Sequence, residues 1–583
     1  MHMRTANPDG AGIPRPLIRR NDFGCLAPPA LGRWTPRRTV SVVIPAYRCE
    51  ETLPLTLASL AGQSYPGHLM EVVVVDDSED ASLRLPDLVP ENTRIVRPRP
   101  GGWGIANAFH TGVTAAEGEV VHRIDSDLVL VREHVEAQMR WHHLADYLVL
   151  LGHLRFNEWD PECLSASAVY DAVVAGAVDT LFDGEGTPQW TEAVWDGTED
   201  LRRAGPDVFR LNVGATASLP RELYLRAGGM DTALSRGSDT EIGYRLAQAG
   251  AVFVADRESH CRHLGSSTVM RRQDEVQRYT RPFMAERIPH RQYRSPKGPG
   301  RQYLVPRVEA VITADGHTLE DVRATVNALL ASWMSDLSVT LVGPWGRLTD
   351  ERRSPLDDPL LDLRLIRETF RGESRVRFVE EAAETAFPSP FRFECPAGWA
   401  PEPETLGWLV AFIDEQVLGL VSLVLDERKE LVVARLERTA VLSRARSLAE
   451  PDESLDEIVH RISGVVWEDG RRWGILPAGT AGAAAGIGPA VQTEQWRRRA
   501  EKWERRARMW KQRALGRRMG QLDGIPVRRL RRAVGKGLRL VGVARVPGVA
   551  RVPGAARVPG AARAIGAAEQ PRAAAGRRQR SGR

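Results

Sequence analysis

The feature that most constrains the fold is a strand, helix and strand unit near the start of the chain. Residues 40–44 form a short β-branched run, residues 71–75 form a second, and the helical stretch between them places Leu53, Leu57 and Leu60 on one face. Continuous apolar runs of this length are typical of strands that are buried on both faces. The unit therefore predicts an α/β fold with a mostly parallel sheet, whose ligand site lies at the carboxyl ends of the strands.

Acidic residues follow two of these strands. Asp76 and Asp77 end the second strand, and a third apolar run, residues 119–124, leads into Asp125 and Asp127. A single acidic pair is explained by an ordinary turn. Two pairs at the ends of successive buried strands point into one crevice, where carboxylate oxygens suit Mg²⁺ or Mn²⁺ bound to phosphates.

Composition shifts predict six segments. Residues 1–36 are rich in Pro, Gly and Arg and predict a disordered leader, and residues 37–290 predict the first α/β domain. Residues 301–470 predict a second α/β domain, because residues 308–312 and 337–342 repeat the spacing of the first unit. Its second strand ends in Gly and Pro where the first ends in Asp76 and Asp77, which indicates a degenerate, non-catalytic copy. A linker over 471–493, a basic amphipathic helical region over 494–540 and low-complexity repeats over 541–583 complete the chain.

The last two segments carry an uneven charge. Residues 491–583 contain 26 Lys and Arg against 5 Asp and Glu, a balance of +21, although the whole chain carries only +5. An a/d stripe runs through Trp496, Ala500, Trp503, Ala507, Trp510 and Ala514. It fits a coiled-coil seam that forms a homo-oligomer, a face docked on the body, or a helix on an anionic membrane surface, and Trp with abundant Arg favours the membrane. Nucleic acid is disfavoured because no recognisable binding module accompanies the charge.

Several classes of protein are excluded by the sequence. It contains no run of 18 strongly apolar residues and no N-terminal apolar segment typical of a secretory signal. Its five cysteines are scattered and include no CxxC pair, which argues against a disulfide framework or a zinc module. We therefore expect a cytoplasmic protein.

An ordered set of motifs resembles family-2 glycosyltransferases over about residues 38–270. The motifs are residues 42–47 (VVIPAY), 74–78 (VVDDS), 116–119 (AEGE), 124–127 (IDSD), 212–221, 228–231 (GGMD) and 238–245 (SDTEIGYR). The resemblance implies a GT-A (Rossmann-like) catalytic domain, a nucleoside-diphosphate-sugar donor, a divalent metal, and inverting transfer. It also implies that Pro45 and Tyr47 line the nucleobase and ribose pocket and that Asp77 accepts a hydrogen bond from the base.

The same resemblance assigns the remaining site residues. Asp125 contacts the ribose side of the nucleotide, and Asp127 ligates Mn²⁺ or Mg²⁺. His263 either completes this metal site or is a structural histidine. Asp239 is the catalytic base. Glu241 either points at acceptor hydroxyls or forms an i,i+4 ion pair with Arg245.

One residue pair departs from the family pattern, and one glycine-rich segment has a simpler explanation than substrate binding. Phe109 and His110 stand where many relatives carry an Arg-Asn pair. The glycine-rich residues 101–104 predict a turn in preference to a diphosphate contact.

The leading hypothesis is a metal-dependent inverting glycosyltransferase that acts on a glycan or lipid-linked acceptor in cell-envelope or exopolysaccharide synthesis, at the inner face of the plasma membrane. Two alternatives remain open. A nucleotidyltransferase shares the sheet and the paired acids, although a glycine-rich loop with a lysine is missing near the N-terminus. A catalytically inactive scaffold would act through its basic tail.

Overall fold

A nine-stranded sheet organises the first half of the protein in the computed structural model, which describes residues 15–80, 82–294, 301–349, 354–428 and 430–479. Its strands are β1 (Val40–Ala46), β2 (Met70–Asp76), β3 (Thr93–Val96), β4 (Val120–Arg123), β5 (Leu128–Leu130), β6 (Leu148–Asn157), β7 (Thr187–Pro188), β8 (Ala217–Pro220) and β9 (Val252–Leu264). The order is β3-β2-β1-β4-β8-β6-β9-β5, and β7 pairs with β6. Strands β3, β2, β1 and β4 are parallel, whereas β8 is antiparallel to both β4 and β6. The parallel half is the part that the apolar runs predicted.

Helices cover this sheet. They are α1 (Leu53–Ala61), α2 (Ile105–Ala115), α3 (His134–His142), α4 (Ala166–Val174), α5 (Trp190–Gly197), α6 (Arg221–Arg226), α7 (Ser238–Gln248), α8 (Thr268–Arg271) and α9 (Gln273–Arg287). Successive residues of β2 enter different cores: Val72 and Val74 join one apolar cluster, and Val73 and Val75 join another. Both faces of the strand are thus buried, which is why its sequence is continuously apolar.

A seven-stranded sheet follows after residue 300. Its strands are β10 (Val308–Thr313), β11 (Leu337–Val342), β12 (Val376–Val379), β13 (Phe391–Glu394), β15 (Leu420–Asp426), β16 (Val432–Arg438) and β17 (Val465–Asp469), while β14 (Trp399–Pro401) and β18 (Ile475–Pro477) form a separate pair. The helices are α10 (Leu319–Leu330), α11 (Leu361–Phe370), α12 (Thr405–Glu415), α13 (Thr439–Leu448) and α14 (Leu455–Ile462). The order is β12-β11-β10-β13-β16-β15-β17. Its four parallel strands have the same order as β1 to β4, which is consistent with a degenerate copy, and that origin stays a prediction.

The predicted disordered leader is wrong for residues 15–36, and residues 1–14 lie outside the described residues. Ile18 and Phe23 are buried in the first core. The side chain of Asn21 binds the backbone of Leu201 and Phe253 with distances of 2.8–3.0 Å. These anchors are isolated residues without a period, so the composition of the segment concealed them.

The predicted linker is wrong for residues 471–479. Ile475 is fully buried, β18 pairs with β14, and the Trp473 ring lies 5.3 Å from that of Phe412. A three-residue strand beside glycines and prolines carries too little pattern to be recognised. The rest of the linker, the basic region and the repeats lie outside the described residues.

The two large sheets belong to one compact unit, and a buried arginine joins them. Arg444 on α13 donates hydrogen bonds to the carbonyls of Gly250, Ala251, Ile18 and Arg20 at 2.5–3.3 Å. Burial lowers the pKa of Arg444 to about 10. A cation buried among carbonyl oxygens fixes the second domain to both the first domain and the leader.

Within the described part of the chain, no helix combines the length and the apolar character that crossing a bilayer requires.

Candidate active site

The carboxyl ends of β1, β2 and β4 lie side by side. The Ile124 N–H donates to the Val43 carbonyl at 3.2 Å, and the Asp77 N–H donates to the Ala46 carbonyl at 2.8 Å. Pro45, in β1, stands in register with Val75 of β2. Parallel pairing therefore brings Pro45, Asp77 and Asp125 to one sheet edge, as the sequence predicted.

Two exposed aromatic rings stand beside Asp77. The Tyr47 side chain is 40% exposed and meets Trp103, which is 58% exposed, edge to face at 5.7 Å. The Arg48 guanidinium lies 5.1 Å from the Tyr47 ring. Asp77 accepts a hydrogen bond from the Gly104 N–H at 3.0 Å, and burial raises the pKa of its carboxyl.

Trp103 was missed in the sequence because residues 101–104 were interpreted by their glycines alone. Positive φ values at Gly101 (93°) and Gly104 (96°) do make the segment a turn. The turn directs a large aromatic residue into solvent beside Tyr47. An exposed aromatic pair of this kind is suited to stacking on a planar ring.

Asp127 and His263 lie together, as predicted, because β5 pairs with β9. The His263 Nε2 is 3.4 Å from the Asp127 Oδ2, and the Leu264 N–H binds the Asp127 carbonyl at 2.9 Å. Burial raises the pKa of the Asp127 carboxyl, while the His263 imidazole lowers it. The pair thus joins the two chain segments that the resemblance assigned to a metal.

This pair fits a divalent cation by the chemistry of its donor atoms. The Asp127 Oδ1 and the His263 Nδ1 are buried and have no hydrogen-bond partner in the described structure. A buried carboxylate oxygen without a partner is costly, and a cation would satisfy the Asp127 Oδ1. The imidazole nitrogen that faces Asp127 is Nε2, so the same cation would not reach the His263 Nδ1. No group of three or more His, Cys, Asp or Glu residues in the described ranges is arranged for a metal, so the remaining ligands would have to come from substrate and water.

Asp239 lies in the first turn of α7. Its carbonyl accepts a hydrogen bond from the Asn212 amide at 2.8 Å, which fixes the start of the helix. Burial raises the pKa of the Asp239 carboxyl, an effect that the Arg123 guanidinium opposes and Asp125 reinforces. The Asp239 carboxylate thus lies beside a buried cation at the start of a helix, where the resemblance predicts the base.

Arg123 brings Asp239 and Asp125 together, and the sequence analysis missed it. Its Nε and Nη2 donate to the Asp125 Oδ1 at 3.2 and 3.1 Å, and its Nη1 donates to the Asp239 Oδ1. The Arg123 side chain is only 4% exposed, against 25% for each carboxylate. The sequence does show a charged residue at the end of an apolar strand. Because a buried arginine requires charged or polar partners, this residue could have indicated a cluster of this kind.

A recess lies against this cluster. Its enclosed part has a volume of about 10 Å³, which is room for about one water molecule. Its lining residues are Leu151, Gly152, Leu154, Gln189, Thr191, Trp195, Leu211, Val213, Gly214, Ala215, Thr216 and Ala217, all described and none charged. A Cβ at Gly214 would lie 2.8 Å from the Asp239 Cγ, so the recess reaches the cluster.

Glu241 does not face the site. Both of its carboxylate oxygens bind Arg245, at 2.6 and 2.5 Å, and its side chain is 5% exposed. The i,i+4 ion pair is the interpretation that the structure supports, and an acceptor-side role does not fit. Phe109 is likewise buried in α2, while the His110 Nδ1 lies 2.9 Å from the Tyr224 hydroxyl.

Part of the first domain matches a known protein family. Residues 41–162 match the model of glycosyl transferase family 2. The chain contains a family-2 glycosyltransferase domain. The matched range includes β1, β2 and β4 with Asp77, Asp125 and Asp127, so the recognition made from the motifs is confirmed. The mixed α/β sheet and the family match confirm the GT-A fold class for the catalytic domain.

Curated relatives carry sugar transferase names. Chondroitin synthase of Escherichia coli is 24% identical over 366 residues, which cover 59% of this chain and 50% of that protein. Pre-mycofactocin glycosyltransferase of Mycobacterium tuberculosis is 28% identical over 219 residues, covering 37% of this chain and 40% of that protein. The chain thus spans half or less of the length of these two relatives.

Among solved structures, S. aureus TarS 1–349 in complex with UDP-GlcNAc is similar to this family-2 domain. It is 18% identical with a TM-score of 0.31, over 44% of this chain and 69% of that one.

Proposed function

We propose that the protein is an inverting glycosyltransferase that moves a sugar from a nucleoside-diphosphate-sugar donor to a hydroxyl acceptor. The observation that carries the proposal is the cluster in which Arg123 joins Asp125, at the predicted donor side, to Asp239, the predicted base. Transfer requires a bound donor and proton removal from a poor nucleophile at one place.

The donor nucleotide occupies the edge formed by β1, β2 and β4 in this proposal. Pro45 and Tyr47 line its base and ribose, Asp77 accepts a hydrogen bond from the base, and Asp125 contacts the ribose. The exposure of Tyr47 and the burial of Asp77 support this division, because one offers a stacking surface and the other a fixed acceptor.

Asp127 and His263 would hold Mn²⁺ or Mg²⁺. The bound cation supplies charge neutralisation for the departing diphosphate. The buried Asp127 Oδ1, which has no partner in the described structure, and the His263 Nε2 that faces Asp127 support the assignment.

Asp239 removes the proton from the acceptor hydroxyl. The acceptor oxygen forms a bond to the anomeric carbon, and the bond from that carbon to the diphosphate oxygen breaks on the opposite face, so the diphosphate leaves with the electron pair. A positioned base of this kind is worth about 10²- to 10⁴-fold in rate.

The biological setting is also part of the proposal. We infer that the acceptor is a glycan or lipid-linked glycan of the cell envelope or an exopolysaccharide, and that the protein works in the cytoplasm at the inner membrane face. The charge of +21 in residues 491–583 supports this location, since each basic residue near an anionic surface contributes about 1 kcal/mol.

The test is a panel of nucleoside-diphosphate sugars with full-length protein. Release of the nucleoside diphosphate is followed with Mn²⁺, with Mg²⁺ and with chelator. We expect turnover of one donor that depends on the cation. If no donor turns over, and UDP and GDP do not bind with either cation, the proposal is wrong and the scaffold alternative is favoured.

A further inference from the structure

The guanidinium of Arg123 is the most constrained charged group near the candidate base. It lies at the carboxyl end of β4, two residues before Asp125, and its side chain is 4% exposed. Three of its nitrogens donate to two carboxylates from different parts of the chain. Because the guanidinium is planar and rigid, it fixes the spacing of both carboxylates.

The surroundings leave this group little room to move. Gly214 has a φ of +85°, and a Cβ there would lie 2.2 Å from the Arg123 Nη1 and 2.6 Å from its Cζ. The Phe109 ring lies 5.9 Å from the same Cζ. Only glycine at position 214 is compatible with the ion pair as it stands.

The charges around Asp239 have opposing effects. Arg123 is the cation that binds its carboxylate, and Asp125 is the nearby anion; the Asn212 amide binds only the Asp239 backbone. Burial and Asp125 both disfavour the anionic carboxylate. Without the guanidinium, Asp239 would therefore hold its proton to a higher pH.

We propose that Arg123 is a positioning residue, which holds the Asp239 carboxylate in its anionic form at a fixed distance from the donor-side Asp125. The proposal rests on the role of Asp239 as base in the proposed function. Arg123 itself does not touch substrate. It couples the donor half of the site, carried by β4, to the base carried by α7.

The test compares Arg123→Lys and Arg123→Met with a matched control. Arg140 is a buried arginine on α3, 5% exposed, which also bridges two carboxylates, Asp256 and Glu258. We expect Arg123→Met to reduce kcat at neutral pH by about 10- to 100-fold and to recover activity as pH rises, because the acidic limb of the pH profile moves upward. Arg123→Lys retains the positive charge but loses the planar guanidinium that binds two carboxylates at once. We therefore expect its kcat to fall, while the acidic limb of its pH profile moves less than in Arg123→Met. Arg140→Lys keeps the wild-type limb.

A second measurement does not depend on turnover. Carbodiimide reacts with protonated carboxyl groups, and peptide mass spectrometry reports labelling of Asp239 as a function of pH. In Arg123→Met the labelling midpoint of Asp239 moves to higher pH, in Arg123→Lys it moves less, and in Arg140→Lys it does not move. Absence of donor turnover in the wild type would contradict the proposed function and leave this readout intact. An unchanged midpoint in Arg123→Met, or an unchanged acidic limb in that variant, would overturn the role of Arg123.

Discussion

Asp125 and Asp239 accept hydrogen bonds from one buried guanidinium, although 114 residues separate them in the chain. The first lies two residues beyond the end of β4, and the second lies in the first turn of α7. Their shared partner makes the donor side and the base side a single structural unit.

Asp127→Ala is expected to abolish cation-dependent binding of UDP or GDP, because removal of a direct ligand leaves the diphosphate charge uncompensated. Calorimetry with Mn²⁺ measures this. The control is Asp315→Ala, an exposed acidic residue that follows β10 in the second sheet. Equal affinity in the wild type and Asp127→Ala would mean that this aspartate belongs only to a turn.

Asp239→Asn is expected to leave nucleotide affinity nearly intact and to reduce turnover by about 10² to 10⁴. The amide keeps the shape of the side chain but cannot accept the proton. Asp274→Asn, exposed in the first turn of α9, controls for the loss of an acid at a helix start. Transfer within a few fold of the wild type would place the base elsewhere.

Gly214→Ala is expected to separate Arg123 from Asp239, because the added methyl group would collide with both. Turnover should fall by at least about 10-fold, the effect of misplacing a base. Gly176→Ala is the control, since Gly176 also has a positive φ (67°) but has no atom within 4 Å of the added Cβ. If both variants lose activity equally, backbone strain rather than the collision is responsible.

Acidic solutions should destabilise the first domain through its buried histidines. Burial lowers the pKa of His134 from 6.5 to about 4, and it lowers the pKa of His122 and His142 as well. The unfolded chain binds these protons first, so stability is complete above pH 6.5 and falls as pH decreases toward 4, by up to about 3 kcal/mol for His134. Thermal unfolding from pH 7.5 to 5 measures the loss. His134→Gln should reduce the slope, the exposed His68→Gln should not, and a flat profile in the wild type would contradict the prediction.

Removal of residues 491–583 should leave a folded protein that turns over a soluble donor but no longer sediments with anionic vesicles. Charge attraction is screened over about 8 Å at physiological salt, so rising salt should release part of the full-length protein from phosphatidylserine vesicles. Vesicle sedimentation measures binding, and neutral phosphatidylcholine vesicles are the control. If truncation instead changes the mass measured by light scattering while vesicle binding is negligible in both forms, the segment is an oligomerisation element.

The sequence predicted the parallel half of the first sheet because both faces of its strands are buried. Residues 40–44 and 71–75 became β1 and β2, and the repeat after residue 300 became β10, α10 and β11. The acids at the strand ends were found for the same reason, since strand ends are visible in the pattern. The roles predicted for Asp239 and His263 come from the family resemblance rather than from the pattern, and they stay predictions.

The parts that could not be predicted depend on contacts between distant segments. Arg123 was visible as a charge in an apolar strand, but its partner Asp239 comes from a helix 116 residues later. Asn21 and Ile475 are likewise single anchors in segments with disorder-like or linker-like composition. Local periodicity cannot predict such contacts, because each is made by a single residue whose partner lies far away in the sequence.

Arg444 connects the second domain to the helix that carries the proposed base. The helix that carries Arg444, α13, packs against α7, and the Arg444 guanidinium binds the carbonyls of Gly250 and Ala251, immediately beyond the end of α7. In the proposed function, the Asp239 end of α7 faces substrate, so its opposite end is braced by the second domain. Truncation of the chain at residue 300 would remove Arg444 and leave the carbonyls of Gly250 and Ala251 without this partner. We therefore expect that the shortest active form of the protein includes the second domain, because this domain supports the helix that carries the proposed base.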